Sequence, residues 1–188
     1  MAFQMYEERN TLRPIINFVA AVVVIVSLAW FLVYCFGHST ENIGQSMEPT
    51  LEPQAVVLVD TIIYKFSKPE RYDIVAFSQS GRDALTLLRE ENSMNIKRII
   101  GLPGETVQIA DGHIYINGEL LKGEKGLSDV SLAGRADGGI TLGEGEYFVL
   151  GDNRQASEDS RFESIGNVTE GQIIGKCWLR MSPFARLK

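Results

Sequence analysis

The chain has 188 residues, 45% of them hydrophobic, and carries 18 Lys and Arg against 24 Asp and Glu for a formal net charge of −6. That composition excludes a disordered tail and a multi-span transporter. Glu7, Glu8, Arg9 and Arg13 cancel, so the net charge falls on residues 41–188, which argues against a nucleic-acid partner that would require a basic face.

The first element is the uncharged run "IINFVAAVVVIVSLAWFLVYCF", residues 15–36. As a helix it would be roughly 33 Å long, enough to cross a hydrocarbon core of about 30 Å. Trp30 and Tyr34 lie toward its C-terminal end, where amphipathic rings favour the interface. Arg9 and Arg13 precede the run, and no Lys or Arg follows until Lys65, so the positive-inside rule predicts residues 1–14 in the cytoplasm and residues 37–188 outside. A cleaved secretory signal is the competing reading. It would have an apolar core of about 7–15 residues followed by a small-x-small site. This run is longer and "CFGHSTENI" offers no such site, so an uncleaved plasma-membrane anchor is expected.

After the anchor, short runs rich in Val and Ile alternate with turn signals, which predicts a mostly antiparallel β domain. The expected strands are residues 55–64, 72–77, 95–100, 105–110, 113–118, 147–152 and 173–181, with Asp111-Gly112 joining a hairpin. Residues 78–93 read as a polar insertion with one short helix around "DALTLLREE". Residues 122–145 hold seven glycines and read as a loop or insert too loose for a core element. Cys35 and Cys177 are too few and too far apart for a disulfide framework or a metal site, and read as small buried hydrophobes. Neither a metal nor a cofactor is expected.

Three stretches carry candidate chemistry. In "NIGQSMEPTLEP", residues 42–53, Ser46 lies between Gly44 and Pro49; these suit an exposed, rigid hydroxyl and a plain turn equally well. A nucleophilic serine needs a base, and the two histidines are poorly placed for it: His38 beside the membrane segment, His113 at a hairpin tip. The alternative is a lysine stripped of water, because burial disfavours the ammonium. Lys97 in "NIKRIIGLPGE" is flanked by Ile96, Ile99 and Ile100. Alternation would give it the face of Asn95 and Ile99, with Ile96 and Arg98 pointing away. The plain reading is a surface lysine on a strand. The third stretch, "GDNRQASEDSR" (residues 151–161), packs three acids, two arginines and two serines behind an apolar strand. It reads either as a charged surface loop or as a polar scaffold for catalytic groups.

"QSMEPTL", "IKRIIGLPGE" and "GDNRQASEDSR" together resemble the diagnostic boxes of bacterial type I signal peptidases, in order and at plausible spacing. The last agrees with G-D-N-R-x-x-S-x-D-S-R at every fixed position, and "YDIVAF" is similar to the family's intervening G-D-I-V-x-F strand. The resemblance implies a minimal, Gram-positive-like form with one transmembrane helix and a barrel-like antiparallel catalytic domain. It implies a Ser–Lys dyad in which Ser46 is nucleophile and Lys97 general base, cutting signal peptides of exported pre-proteins after Ala-x-Ala-like sites through an acyl-enzyme. Ser157 would orient the lysine amine. Asp152, Arg154, Asp159, Ser160 and Arg161 would support the site, with Asp159 and Arg161 as an ion pair. Ile43, Gly44, Met47, Leu51, Asn95 and Ile96 would line the substrate pockets, with Met47 and Leu51 equally suited to a plain core. The backbone N–H of Ser46 would stabilise the oxyanion, while Gly44 lacks the hydroxyl that some members place there. The implied partners are signal peptides, the lipid bilayer and, transiently, the export translocon, with no nucleic acid.

Three rivals fit less well. A self-cleaving repressor with a similar fold would be soluble and carry a DNA-binding region. An inactive tethered binding module need keep neither Ser46 nor Lys97. A eukaryotic-type signal peptidase subunit would have histidine where Lys97 stands.

Overall fold

The computed structural model describes residues 2–36, 38–79, 94–123 and 129–187, with helix side chains from residue 12 to residue 31. The side chains of Tyr34 and Cys35 and the expected short helix within residues 80–93 lie outside the described residues. The chain divides into a helical unit ending at Gly37 and a β unit from His38 onward.

Helix α1 (Ala2–Phe36) begins well before the apolar run and carries Pro14 within it. Its segment Leu12–Phe31 is long and apolar enough to cross a membrane, and none of that segment is buried. A helix apolar on every side has no single face to bury against a core, which suits a lipid surround.

The β unit is antiparallel throughout its ladders, as the turn-punctuated Val and Ile runs predict. Its strands are β1 (His38–Glu41), β2 (Val56–Asp60), β3 (Ile74–Phe77), β4 (Asn95–Gly101), β5 (Thr106–Ala110), β6 (His113–Ile116), β7 (Glu119–Leu120), β8 (Ile140–Thr141), β9 (Glu146–Leu150), β10 (Val168–Thr169), β11 (Ile173–Met181) and β12 (Phe184–Arg186). The larger sheet runs β1-β2-β11-β3-β4-β9-β10, with β12 on β11, and a smaller sheet runs β7-β6-β5-β8. Strand β2 stops at Asp60 instead of reaching Tyr64. The Asp60 carboxylate accepts the N–H groups of Ile62 and Ile63 at 2.9 and 3.0 Å, turning the chain into a short 3-10 turn at Ile63–Lys65.

Strand alternation sorts the side chains into separate cores. Ile96 and its cross-strand partner Ala76 join Met47, Leu51, Val57, Val59 and Leu187 in one cluster. Ile99 and Val75 join Phe77, Tyr147 and Val149 in another. A third cluster ties the smaller sheet to the larger through Ile100, Phe148 and Leu150. Cys177 is buried in the first cluster as a free thiol.

The glycine-rich segment corrects the sequence reading. Residues 124–128 lie outside the described residues, but residues 129–145 contain a 3-10 turn (Gly134–Ala136) and strand β8. Val130, Ala136 and Leu142 from this segment are buried in the third cluster. Single apolar residues spread among glycines make no periodic pattern, so their burial was not visible in the sequence. Leu142→Ala should therefore cost about 2–5 kcal/mol of stability in denaturant unfolding, as a core truncation does. A loose loop would tolerate the change within about 0.5 kcal/mol.

Candidate active site

Ser46 sits on a tight excursion between β1 and β2. Asn42, itself buried, closes that excursion: its N–H donates to Ala55 O at 2.9 Å, and its side-chain amide reaches the carbonyls of Gly44, Leu51 and Glu52 at 3.1–3.3 Å. Leu51 N–H donates to Met47 O at 2.8 Å, and both side chains are fully buried, so the turn is anchored in the core one residue beyond the serine. Gly44 has φ +82, a backbone conformation that a side chain disfavours. Among the described residues, no backbone hydrogen bond occupies the Ser46 N–H.

Lys97 lies on β4, paired to Val75 of β3. Its Nζ is 2.8 Å from Ser46 Oγ, and both residues are buried. Burial strips water from the amine and holds its pKa below the ordinary 10.5, against the opposing pull of Asp159, Glu158 and Asp152.

Those acids belong to the loop after β9, and the two buried ones are neutralised by arginine. Asp152 receives Arg98 Nε at 2.8 Å and Nη2 at 2.6 Å, and also accepts the Thr50 hydroxyl from the serine turn. Asp159 receives Arg161 Nε at 2.7 Å and Nη2 at 2.9 Å, together with the Gly151 N–H at 3.1 Å. Such bidentate pairs are the geometry in which buried charges are tolerated. Glu158 is exposed and accepts the Ser164 hydroxyl, so water screens it. Desolvation can therefore prevail at Lys97 with three carboxylates nearby.

The same loop meets the serine turn directly. Asn153 N–H donates to Ser46 O at 3.0 Å. A Cβ at Gly151 would stand 2.4 Å from Ser46 O and 2.2 Å from Ser157 Oγ, so only glycine allows this approach. Ser157 is buried beside Gly151, and its hydroxyl makes no hydrogen bond here, to Lys97 or to any other described group. Ser160 links the loop back to β9, accepting the Val149 N–H at 2.9 Å. Arg154 is buried.

The structure thus brings Ser46, Lys97, Ser157, Asp152, Asp159 and Arg161 into one cluster. Of the expected pocket residues, Ile43 and Gly44 are exposed and Asn95 is half-buried. Met47 and Leu51 have no exposed surface, which makes them core side chains and not open lining, and Ile96 packs with them. Sequence reasoning missed Arg98, Thr50 and Asn42. It placed Arg98 facing away from Lys97 and gave Asp152 no partner outside its own loop. The one available signal was that a buried Asp152 requires a cation, and Arg98 is the residue next to the proposed base.

The family model for signal peptidases, peptidase S26, matches residues 15–182. A probable signal peptidase I-2 of Synechocystis is 34% identical over 144 residues, covering 77% of this chain and 62% of that protein. Signal peptidase I of Leptolyngbya laminosa is 39% identical over 148 residues, covering 77% of this chain and 68% of that protein. Signal peptidase I of Bacillus licheniformis is 32% identical over 194 residues, covering 98% of each. The chain therefore spans less than two thirds of the first of these relatives and almost all of the third.

A lysine whose folded pKa is lowered penalises stability at neutral pH. Between that lowered value and the ordinary 10.5 the unfolded chain binds a proton that the folded chain does not, so stability rises with pH across the window. Lys97→Met should remove this dependence. Denaturant unfolding should find the variant more stable than the parent near pH 7, with the gap closing toward pH 10.5.

Proposed function

The chain belongs to a family of peptidases, the signal peptidases (peptidase S26), and on that premise we propose that it is a membrane-anchored serine endopeptidase. It removes signal peptides from exported pre-proteins after small-x-small sites, with Ser46 as nucleophile and Lys97 as general base. The observation that carries this reading is the 2.8 Å contact between Lys97 Nζ and Ser46 Oγ, made where burial keeps the amine's pKa low.

Neutral Lys97 takes the Ser46 proton as Oγ attacks the scissile carbonyl. The resulting ammonium gives that proton to the leaving amine, and the neutral amine then activates water to hydrolyse the ester. The Ser46 N–H, which no described backbone bond occupies, donates to the oxyanion. Ser157 orients the amine by a rotation of its unpartnered hydroxyl. A buried hydroxyl kept without a partner costs stability, which supports a role in function.

Substrate binds as an added strand. In support, β4 pairs with β3 along Asn95–Arg98 but with β9 only from Arg98 onward. Among the described residues, the second edge of residues 95–97 therefore belongs to no ladder, and Ile43 and Gly44, which lead into Ser46, are exposed. An extended peptide held between these segments presents its carbonyl to Ser46 Oγ. The uncharged run of residues 15–36 in helix α1 anchors the chain in the bilayer, with residues 1–14 in the cytoplasm and the β unit on the far face, where it works beside the export translocon.

Ser46→Ala and Lys97→Ala should each lower cleavage of an Ala-x-Ala pre-protein by at least about a thousandfold, while circular dichroism stays unchanged. Undiminished cleavage by Lys97→Ala would sink the dyad. Ser157→Ala breaks no existing hydrogen bond, so its stability should stay within about 1 kcal/mol of the parent. Its kcat should still fall about a hundredfold, and an unchanged kcat would remove Ser157 from the mechanism.

A further inference from the structure

We propose that the turn formed by residues 132–135 is a positioning element of the active site, in which Gly134 and Arg135 hold Arg161 against Asp159. The inference rests on the reading of Lys97 as general base.

The turn grips Arg161 at both ends. Arg161 Nη1 donates to Leu132 O at 3.2 Å, and Arg135 N–H donates to Arg161 O at 2.9 Å. The Arg135 guanidinium reaches Ser160 O and Asn167 Oδ1, both at 3.3 Å, and its Nε pairs with the exposed Glu163 at 3.3 Å. Gly134, at φ +56, lies so close that a Cβ there would stand 2.3 Å from Arg161 O. Arg161 and Asp159 are 2% and 0% exposed, so whatever displaces the guanidinium leaves a carboxylate in the interior with its cation lost.

That carboxylate acts on the base. The charges that raise the proton affinity of Lys97 are Asp159 first, then Glu158 and Asp152, all from the loop after β9. Arg98 on β4 neutralises Asp152, solvent screens Glu158, and Arg161 neutralises Asp159. Arg135 also acts on Glu146 at the start of β9, which Asn167 and the Gly143 N–H hold as the anion. A loosened Arg161 shifts Lys97 toward the ammonium, so the enzyme needs a higher pH to work.

The test uses the full chain in detergent, with an Ala-x-Ala pre-protein and kcat/KM measured from about pH 5 to pH 10. Gly134→Ala and Arg135→Ala should move the acidic limb up by about one unit, with activity recovering at the alkaline end. Arg135→Lys, which keeps the charge, should move it less. Should Gly134→Ala not fold, Arg135→Ala carries the test, because it leaves the turn's backbone unstrained and removes the guanidinium's bond to Ser160 O, the carbonyl that leads into Arg161. A folded variant with an unmoved limb, or with a loss equal at every pH, overturns the proposal. Lys97→Ala is run alongside. If it retains activity, the base assignment fails; if it is inactive while the Arg135→Ala limb is unmoved, only the role of the turn fails.

Discussion

One interaction organises the β unit: burial of the Lys97 amine, which lowers its proton affinity although three carboxylates lie close to it. Desolvation lowers the proton affinity of Lys97, and Asp159, Glu158 and Asp152 raise it. Burial prevails because Arg161 and Arg98 occupy the two buried acids and solvent reaches the third. The pairs are thus part of the electrostatics of Lys97 and not only braces for a loop. They bring a cost, since buried ion pairs return little net stability and fail badly when one partner is lost.

The fold achieves that burial by convergence from distant parts of the chain. Strand β4 supplies both Lys97 and Arg98. The turn between β1 and β2 supplies Ser46, fixed from inside by Met47 and Leu51 and from outside by the Asn42 amide. The loop after β9 closes over them, with Gly151 pressed against the Ser46 carbonyl and Asn153 bonded to it. Thr50 joins that loop to the serine turn through Asp152, so the elements carrying Ser46, Lys97 and the acids share one hydrogen-bonded frame.

Much of this was legible in the sequence, for local reasons. Val- and Ile-rich runs between turn signals marked seven of the strands, and the uncharged run marked the helix. Residue types in three short boxes marked Ser46 and Lys97. What stayed hidden was non-local. The partner of Asp152 is Arg98, 54 positions away in the chain, and no pattern in either segment announces it. Strands β7, β8, β10 and β12 are too short to show alternation, β1 (HSTE) has no apolar residue to mark it, and all five exist because neighbouring strands offer free edges. Met47 and Leu51 are chemically suited both to a pocket and to a core, and only packing decides for the core.

The most direct measurement is the titration of Lys97 itself, followed by NMR on lysine-labelled protein with the resonance assigned by its loss in Lys97→Met. The account predicts a midpoint below the ordinary 10.5 that coincides with the acidic limb of kcat/KM. A Lys97 that titrates at the ordinary lysine value, or apart from that limb, would contradict it.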